Sequence, residues 1–149
     1  MAIAACLLDT NILLRISQRQ DPDYHPIRNA LVSLGTRGAR LCFTSQNIAE
    51  FWNVCTRPSG QNGYGLTTAE ADRRTRIMEE TFTRLPDTDE IYPEWRRLVV
   101  AHSISGVKVH DARLAATMNI HGIAHILTLD TNDFARYPGI NAIHPRHFA

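Results

Sequence analysis

The sequence predicts an α/β protein built on a parallel, doubly wound sheet with helices on both faces. Three observations lead there. Residues 4–14 form an almost unbroken apolar run, interrupted only by Asp9, Thr10 and Asn11, and such a run reads as a strand buried on both faces. Two further short apolar stretches, at 40–44 and 124–129, read the same way. Between them lie segments whose apolar residues recur at helical spacing, and strands alternating with helices imply parallel crossovers.

Taken in order, the first strand ends at Asp9, and Ile12 to Ile16 begin a short helix that Asp21, Pro22 and Asp23 break. Ile27, Ala30, Leu31 and Leu34 mark a second helix, closed by Gly35 and Gly38. After the strand at 40–44, Ser45 stands as N-cap of a helix with Ile48, Phe51, Trp52 and Cys55 on its apolar stripe and Glu50 off it. Residues 57–65 (Arg-Pro-Ser-Gly-Gln-Asn-Gly-Tyr-Gly) form a loop long and glycine-rich enough to move, and so to gate or line a site. Thr67 and Glu70 make a capping box for a helix through Ile77, Met78, Phe82 and Leu85. Pro93 starts another helix, with Trp95, Leu98, Val99 and His102 on one stripe and Gly106 near its end. The helix from His110 carries Asp111 in its first turn, and Gly122 ends it. A third strand at 124–129 is followed by Asp130, Thr131, Asn132 and Asp133, of which Asp133 caps a short helix over 134–137. The apolar pair Ile140 and Ile143 marks one more strand.

At 149 residues the sequence fits one domain, 1–149, with a core of ordinary size. Apolar content of 44% and charged content of 21% argue against disorder and fibrous classes. A net charge of +1 lacks the broad basic footprint of a general nucleic-acid coat, so any polynucleotide has to be held locally or by pooled charge in an oligomer. Cys6, Cys42 and Cys55 have no paired spacing and read as small core residues of a reduced, cytoplasmic protein. No run of about 18 apolar residues exists, so neither a signal peptide nor a membrane span is expected. There is no P-loop or dinucleotide-binding glycine pattern.

The acids are more informative. Ligands of open α/β sheets bind beyond the carboxyl ends of the strands. Asp9 and Asp130 each follow a predicted strand. Glu50 lies in the first turns of the helix leaving the second strand, and Asp111 opens a helix at the same edge. Four carboxylates without a matching set of cations raise one another's pKa, and a hard divalent cation with oxygen ligands is the usual relief. Mg²⁺ or Mn²⁺ held by acids and water is the type of site that activates water against a phosphodiester. Each residue also has a plainer role open to it. Asp9, Thr10 and Asn11 suit a turn and N-cap, Glu50 suits a solvated helix face, and Asp111 suits a helix-dipole partner. Asn11 and Thr128 either orient acids or satisfy a turn, and Arg113 either meets a phosphate or makes a surface ion pair. The joint placement of the four acids carries the argument. The histidines assemble no zinc set, because Gly122 separates His121 from His125 and nothing completes His144 and His147.

Four pieces in this order resemble a PIN domain: Leu7-Leu8-Asp9-Thr10-Asn11-Ile12-Leu13, Ile48-Ala49-Glu50-Phe51-Trp52, Val109-His110-Asp111-Ala112-Arg113-Leu114 and Leu127-Thr128-Leu129-Asp130-Thr131-Asn132-Asp133-Phe134. Within that family the chain is most similar to the VapC toxins of type II toxin–antitoxin modules. The resemblance implies a PIN-like fold with about five strands, and Mg²⁺- or Mn²⁺-dependent cleavage of RNA. It also implies a homodimer and a small VapB-like antitoxin partner. By position, it makes Asp9 and Asp111 the principal metal ligands. Glu50 and Asp130 complete the acidic quartet, through water or a second metal, and Thr10, Asn11 and Thr128 match supporting positions. Two rivals remain at this point: a PIN-like module that binds but does not cleave, and a phosphatase using Asp9 as nucleophile.

Overall fold

The computed structural model describes residues 2–148. Its centre is a five-stranded sheet of order β3-β2-β1-β4-β5, every neighbouring pair parallel. The strands are β1 (Ala5–Leu8), β2 (Arg40–Thr44), β3 (Thr83–Leu85), β4 (His125–Leu127) and β5 (Asn141–Ile143). Six α-helices join them: α1 (Thr10–Ile16), α2 (Tyr24–Thr36), α3 (Ser45–Thr56), α4 (Thr68–Thr81), α5 (Ile91–Ala101) and α6 (Lys108–His121).

The two-residue period of the strands divides the core into two layers. Cys6 and Leu8 of β1, Phe43 of β2 and Leu127 of β4 point to one face, where Ile12, Leu13, Ile27, Leu34, Phe51 and Met78 of α1–α4 cover them. Leu7, Cys42 and Ile126, the alternate positions, point to the other face and meet Leu98, Leu114, Ala115 and Met118 of α5 and α6. All three cysteines are buried and free, as their apolar surroundings predicted. No described helix is long and apolar enough to cross a membrane.

This topology defines where a site forms. From β1 the chain runs outward through β2 to β3 with its helices on one face. It then crosses the other face by α5 and α6 to β4, on the far side of β1. The connections leaving β1 and β4 therefore part toward opposite faces, and a crevice opens at the carboxyl ends of these two neighbours.

Several local expectations change. Leu85 lies in β3 and not in the preceding helix, because Phe82 turns extended at the end of α4 and the next three residues pair with β2. Phe82 packs on the α1–α4 side and Leu85 on the α5–α6 side, so their spacing matched a helix without sharing a face. The cap of α3 is Thr44 rather than Ser45. Thr44 Oγ1 accepts from the Asn47 N–H at 3.1 Å and Asn47 Oδ1 accepts from the Thr44 N–H at 2.9 Å, a reciprocal box. Thr67 does cap α4 by accepting from the Glu70 N–H, but the Glu70 carboxylate turns to Arg73 and Arg74 instead of closing the box. The third predicted strand is shorter than 124–129, since only His125–Leu127 pairs.

The 57–65 loop is tied down. Gly63 N–H donates to Pro58 O, Tyr64 N–H to Val54 O, Gly65 N–H to Arg57 O, and the Arg57 guanidinium to Asn62 O. A Cβ on Gly63 would sit 1.9 Å from Arg57 O, so this close approach requires glycine. Tyr64 lies among Arg15, Asp21 and Arg74.

Candidate active site

The turn after β1 supplies the first acid. Asp9 N–H donates to Leu127 O at 3.0 Å, which locks the end of β1 to β4. The Asp9 side chain caps α1, accepting from Thr10 N–H at 2.8 Å through Oδ1 and from the Thr128 hydroxyl at 2.7 Å through Oδ2. It is only 8% exposed. Burial pushes its carboxyl up from 3.8 to about 6 despite those two bonds, and the charges of Asp111 and Glu50 add to the rise.

Asn11 bridges the turns after β1 and β4. Its amide donates to Asp130 Oδ2 at 3.1 Å and to Thr128 Oγ1 at 3.4 Å, while its Oδ1 accepts from Leu129 N–H at 3.3 Å. Thr128 Oγ1 also accepts from Asp130 N–H at 3.0 Å. Thr10 plays the matching part toward α3, donating its hydroxyl to Glu50 Oε1 at 2.8 Å and accepting from Asn47 Nδ2 at 3.1 Å. Thus Thr10, Asn11 and Thr128 each hold an acid. Asn47 anchors this network to the cap of α3.

Asp111 stands in the first turn of α6, half-buried, and no described side chain bonds its carboxylate. Burial raises its carboxyl to about 6. Asp133 adds most to that rise, Lys108 opposes it, and Glu50 and Asp130 contribute further. The electrostatic cause expected from four acids is therefore real but secondary to desolvation at both aspartates. Asp133 is not the cap of a helix over 134–137. It lies inside a 3₁₀ turn, Thr131–Phe134, and pairs with Lys108. Lys108 escaped the sequence reading, although its place three residues before Asp111 puts the two on one helix face. Arg113 takes the ion-pair alternative: its guanidinium donates to Gln46 Oε1 at 3.1 Å and to Asp87 Oδ1 at 3.4 Å.

Asp9, Glu50, Asp111 and Asp130 thus come together electrostatically at the crevice. Among the described residues, no three His, Cys, Asp or Glu side chains form a ready-made metal-binding group. A cation that keeps several waters and takes one or two carboxylates needs no such group, and this is how Mg²⁺ is usually held. Asp111, whose carboxylate no described side chain bonds, interacts electrostatically with Asp9, and two hard oxygen donors of this kind fit that requirement.

The sequence model of the PIN domain matches residues 6–140, a span from β1 to the approach to β5. The chain belongs to the PIN domain family. No curated protein matches it. The PIN domain fold is shared with solved toxin–antitoxin structures. The match to VapBC2 from Rickettsia felis, bound to a DNA fragment from its promoter, has a TM-score of 0.69 at 14% identity and covers 94% of this chain and 98% of that one. VapBC-1 from nontypeable Haemophilus influenzae gives 0.67 at 16% identity, over 95% and 98%. VapC20 of Mycobacterium tuberculosis, a sarcin–ricin loop cleaving toxin, gives 0.59 at 15% identity, over 81% and 86%. The PIN domain here is therefore built like VapC toxins across nearly their whole length.

Proposed function

We propose that this PIN domain is a metal-dependent endoribonuclease and the toxin of a VapBC-type pair. It hydrolyses RNA phosphodiesters with Mg²⁺ or Mn²⁺, works as a cytoplasmic homodimer, and is restrained by a VapB-like antitoxin. The observation that carries the reading is the Asp9–Asp111 pair. Burial pushes both carboxyls up to about 6, and among the described residues neither forms an ion pair with a cationic side chain. A fold rarely keeps such a costly arrangement unless the charge is used. The VapC20 likeness supports RNA as the substrate class, and the VapBC structures with the same fold support a protein partner.

In this reading Asp9 and Asp111 hold the cation. Bound there, a divalent ion supplies charge to polarise a phosphate oxygen and makes water a competent nucleophile near neutral pH. Thr128 and Thr10 N–H fix the Asp9 carboxylate in the position from which it would hold the ion. Glu50, held by the Thr10 hydroxyl, or Asp130, held by Asn11, would orient the attacking water or accept its proton. Lys108 engages Asp133 and leaves Asp111 open.

The test is purified protein, freed of any copurifying partner, incubated with total RNA in Mg²⁺, Mn²⁺ or EDTA beside Asp9→Asn and Asp111→Asn. Metal-dependent cuts at few positions, lost in both variants, are expected. Cleavage that survives both substitutions removes the site from the account. No cleavage by folded protein that binds Mn²⁺ supports the binding-module alternative.

A further inference from the structure

Beside the acidic crevice lies a second cavity that the catalytic reading leaves unused. Its volume is about 380 Å³, and Thr88, Ile91, Tyr92, Trp95 and Arg113 line it. It sits beyond the carboxyl end of β3, the same sheet edge that carries Asp9 after β1 and Gln46 after β2. Two strand spacings, about 10 Å, separate β3 from β1.

The cavity is wired to the acids. Trp95 Nε1 donates to Val109 O at 2.8 Å, and Gln46 Nε2 donates to His110 O at 2.8 Å. Those two carbonyls immediately precede Asp111. Gln46 also accepts from Arg113, whose other arm reaches Asp87, and Ser45 Oγ donates to the same Asp87 carboxylate. The indole is therefore held fixed by its N–H. Tyr92 leans on it, ring centroids 6.1 Å apart and planes 31° from parallel, yet remains 65% exposed. A large aromatic ring left this open, braced by a fixed indole and bordered by a guanidinium, is the arrangement that stacks bases of single strands.

We propose that Tyr92, Trp95 and Arg113 form a subsite that stacks one nucleobase of a single-stranded RNA beside the bond cleaved at the acidic crevice. The proposal rests on the nuclease reading and adds to it where the substrate is gripped. It places the source of affinity in base stacking, consistent with a chain of net charge +1 that has little broad attraction for phosphate. The guanidinium, held in place by Gln46 and Asp87, lines the same cavity.

The experiment measures binding of a 12-nucleotide single-stranded RNA to the cleavage-deficient Asp9→Asn protein in Mg²⁺, with Tyr92→Ala and Tyr92→Phe added to that background. Circular dichroism monitors folding, and sedimentation monitors oligomeric state. Tyr92→Ala is expected to weaken binding about five- to ten-fold, and Tyr92→Phe, which keeps the ring, to retain it. A series of RNAs with one abasic nucleotide walked along the strand should show a similar loss at one position. That loss should disappear when combined with Tyr92→Ala, since both remove the same contact. RNA binding that Tyr92→Ala and every abasic substitution leave unchanged overturns the subsite and leaves the nuclease reading intact. No RNA binding by any of the proteins also overturns the subsite, while the nuclease reading stands or falls on the wild-type cleavage assay. Unchanged RNA affinity together with a dimer that dissociates in Tyr92→Ala assigns this face to a protein interface and overturns the proposal.

Discussion

Replacing Asp9 with asparagine should make the metal-free protein more stable, while removing its activity. The folded state holds the Asp9 carboxyl at about 6 against an ordinary 3.8, so between those values it binds a proton that the unfolded chain has released. Stability therefore falls as pH rises through that window, and the full cost is present above about pH 6. The gap, at about 1.4 kcal/mol per pH unit, amounts to about 3 kcal/mol. Asparagine keeps an oxygen acceptor for Thr10 N–H or Thr128, and it is as good an N-cap as aspartate, so most of that sum should be recovered. For a chain of this size the gain corresponds to a rise in Tm of roughly 5–10 °C. The assay is thermal unfolding of both proteins in EDTA from about pH 3.5 to 8. The difference between them isolates Asp9 from the other carboxylates, several of which favour the folded state as pH rises. It should be near zero at the acid end, grow through the window and stay flat above it. Adding Mn²⁺ at a hundred times its Kd should stabilise the wild type alone by about 2.7 kcal/mol and nearly close the gap. A variant no more stable than wild type at pH 7 in EDTA would refute the assignment of Asp9 as a desolvated charge. So would a gap that persists undiminished at pH 3.5.

Asp111→Asn should stabilise the metal-free protein in the same direction but by less, because its half-buried carboxylate is partly screened; the same melts measure it. Asn11→Ala removes the bridge that holds Asp130 and the Leu129 N–H, and is expected to cost about 1–2 kcal/mol in urea unfolding and to reduce kcat at least ten-fold. Gly63→Ala forces a Cβ onto Arg57 O and should cost about 2 kcal/mol or more in urea unfolding, whereas Gly60→Ala, with open space around it, should be nearly neutral.

Much of this architecture could be read from the residues, and the misreadings have definite causes. The buried strands announced themselves because Cys6-Leu7-Leu8 and Leu41-Cys42-Phe43 are apolar on both faces. Strand β3 did not, because an edge strand of three residues with exposed Thr83 and Arg84 carries one buried side chain and no pattern. The acids were found by topology, since a residue following a strand has only one edge to occupy. What the sequence could not reveal is the wiring among them. Asn47 looks like a surface amide, yet it is fully buried and joins the Thr44 cap to Thr10 and so to Glu50. The Lys108–Asp133 pair spans 25 positions, and the Gln46–Arg113 bond spans 67, distances over which no local pattern speaks.

The bonds that tie the turn after β1 to the turn after β4 join positions more than a hundred residues apart: Thr128 to Asp9, and Asn11 to Thr128 and Asp130. While the chain is being made, Asp9 and Asn11 wait for well over a hundred further residues before their partners exist. A nascent or prematurely ended chain that stops short of β4 contains Asp9, Glu50 and Asp111 but lacks the strand that closes the sheet beside β1 and the threonine that sets the first acid. For a protein proposed to cut RNA, that ordering delays the appearance of the assembled crevice until β4 and Thr128 have been made, and the molecule making it is itself RNA.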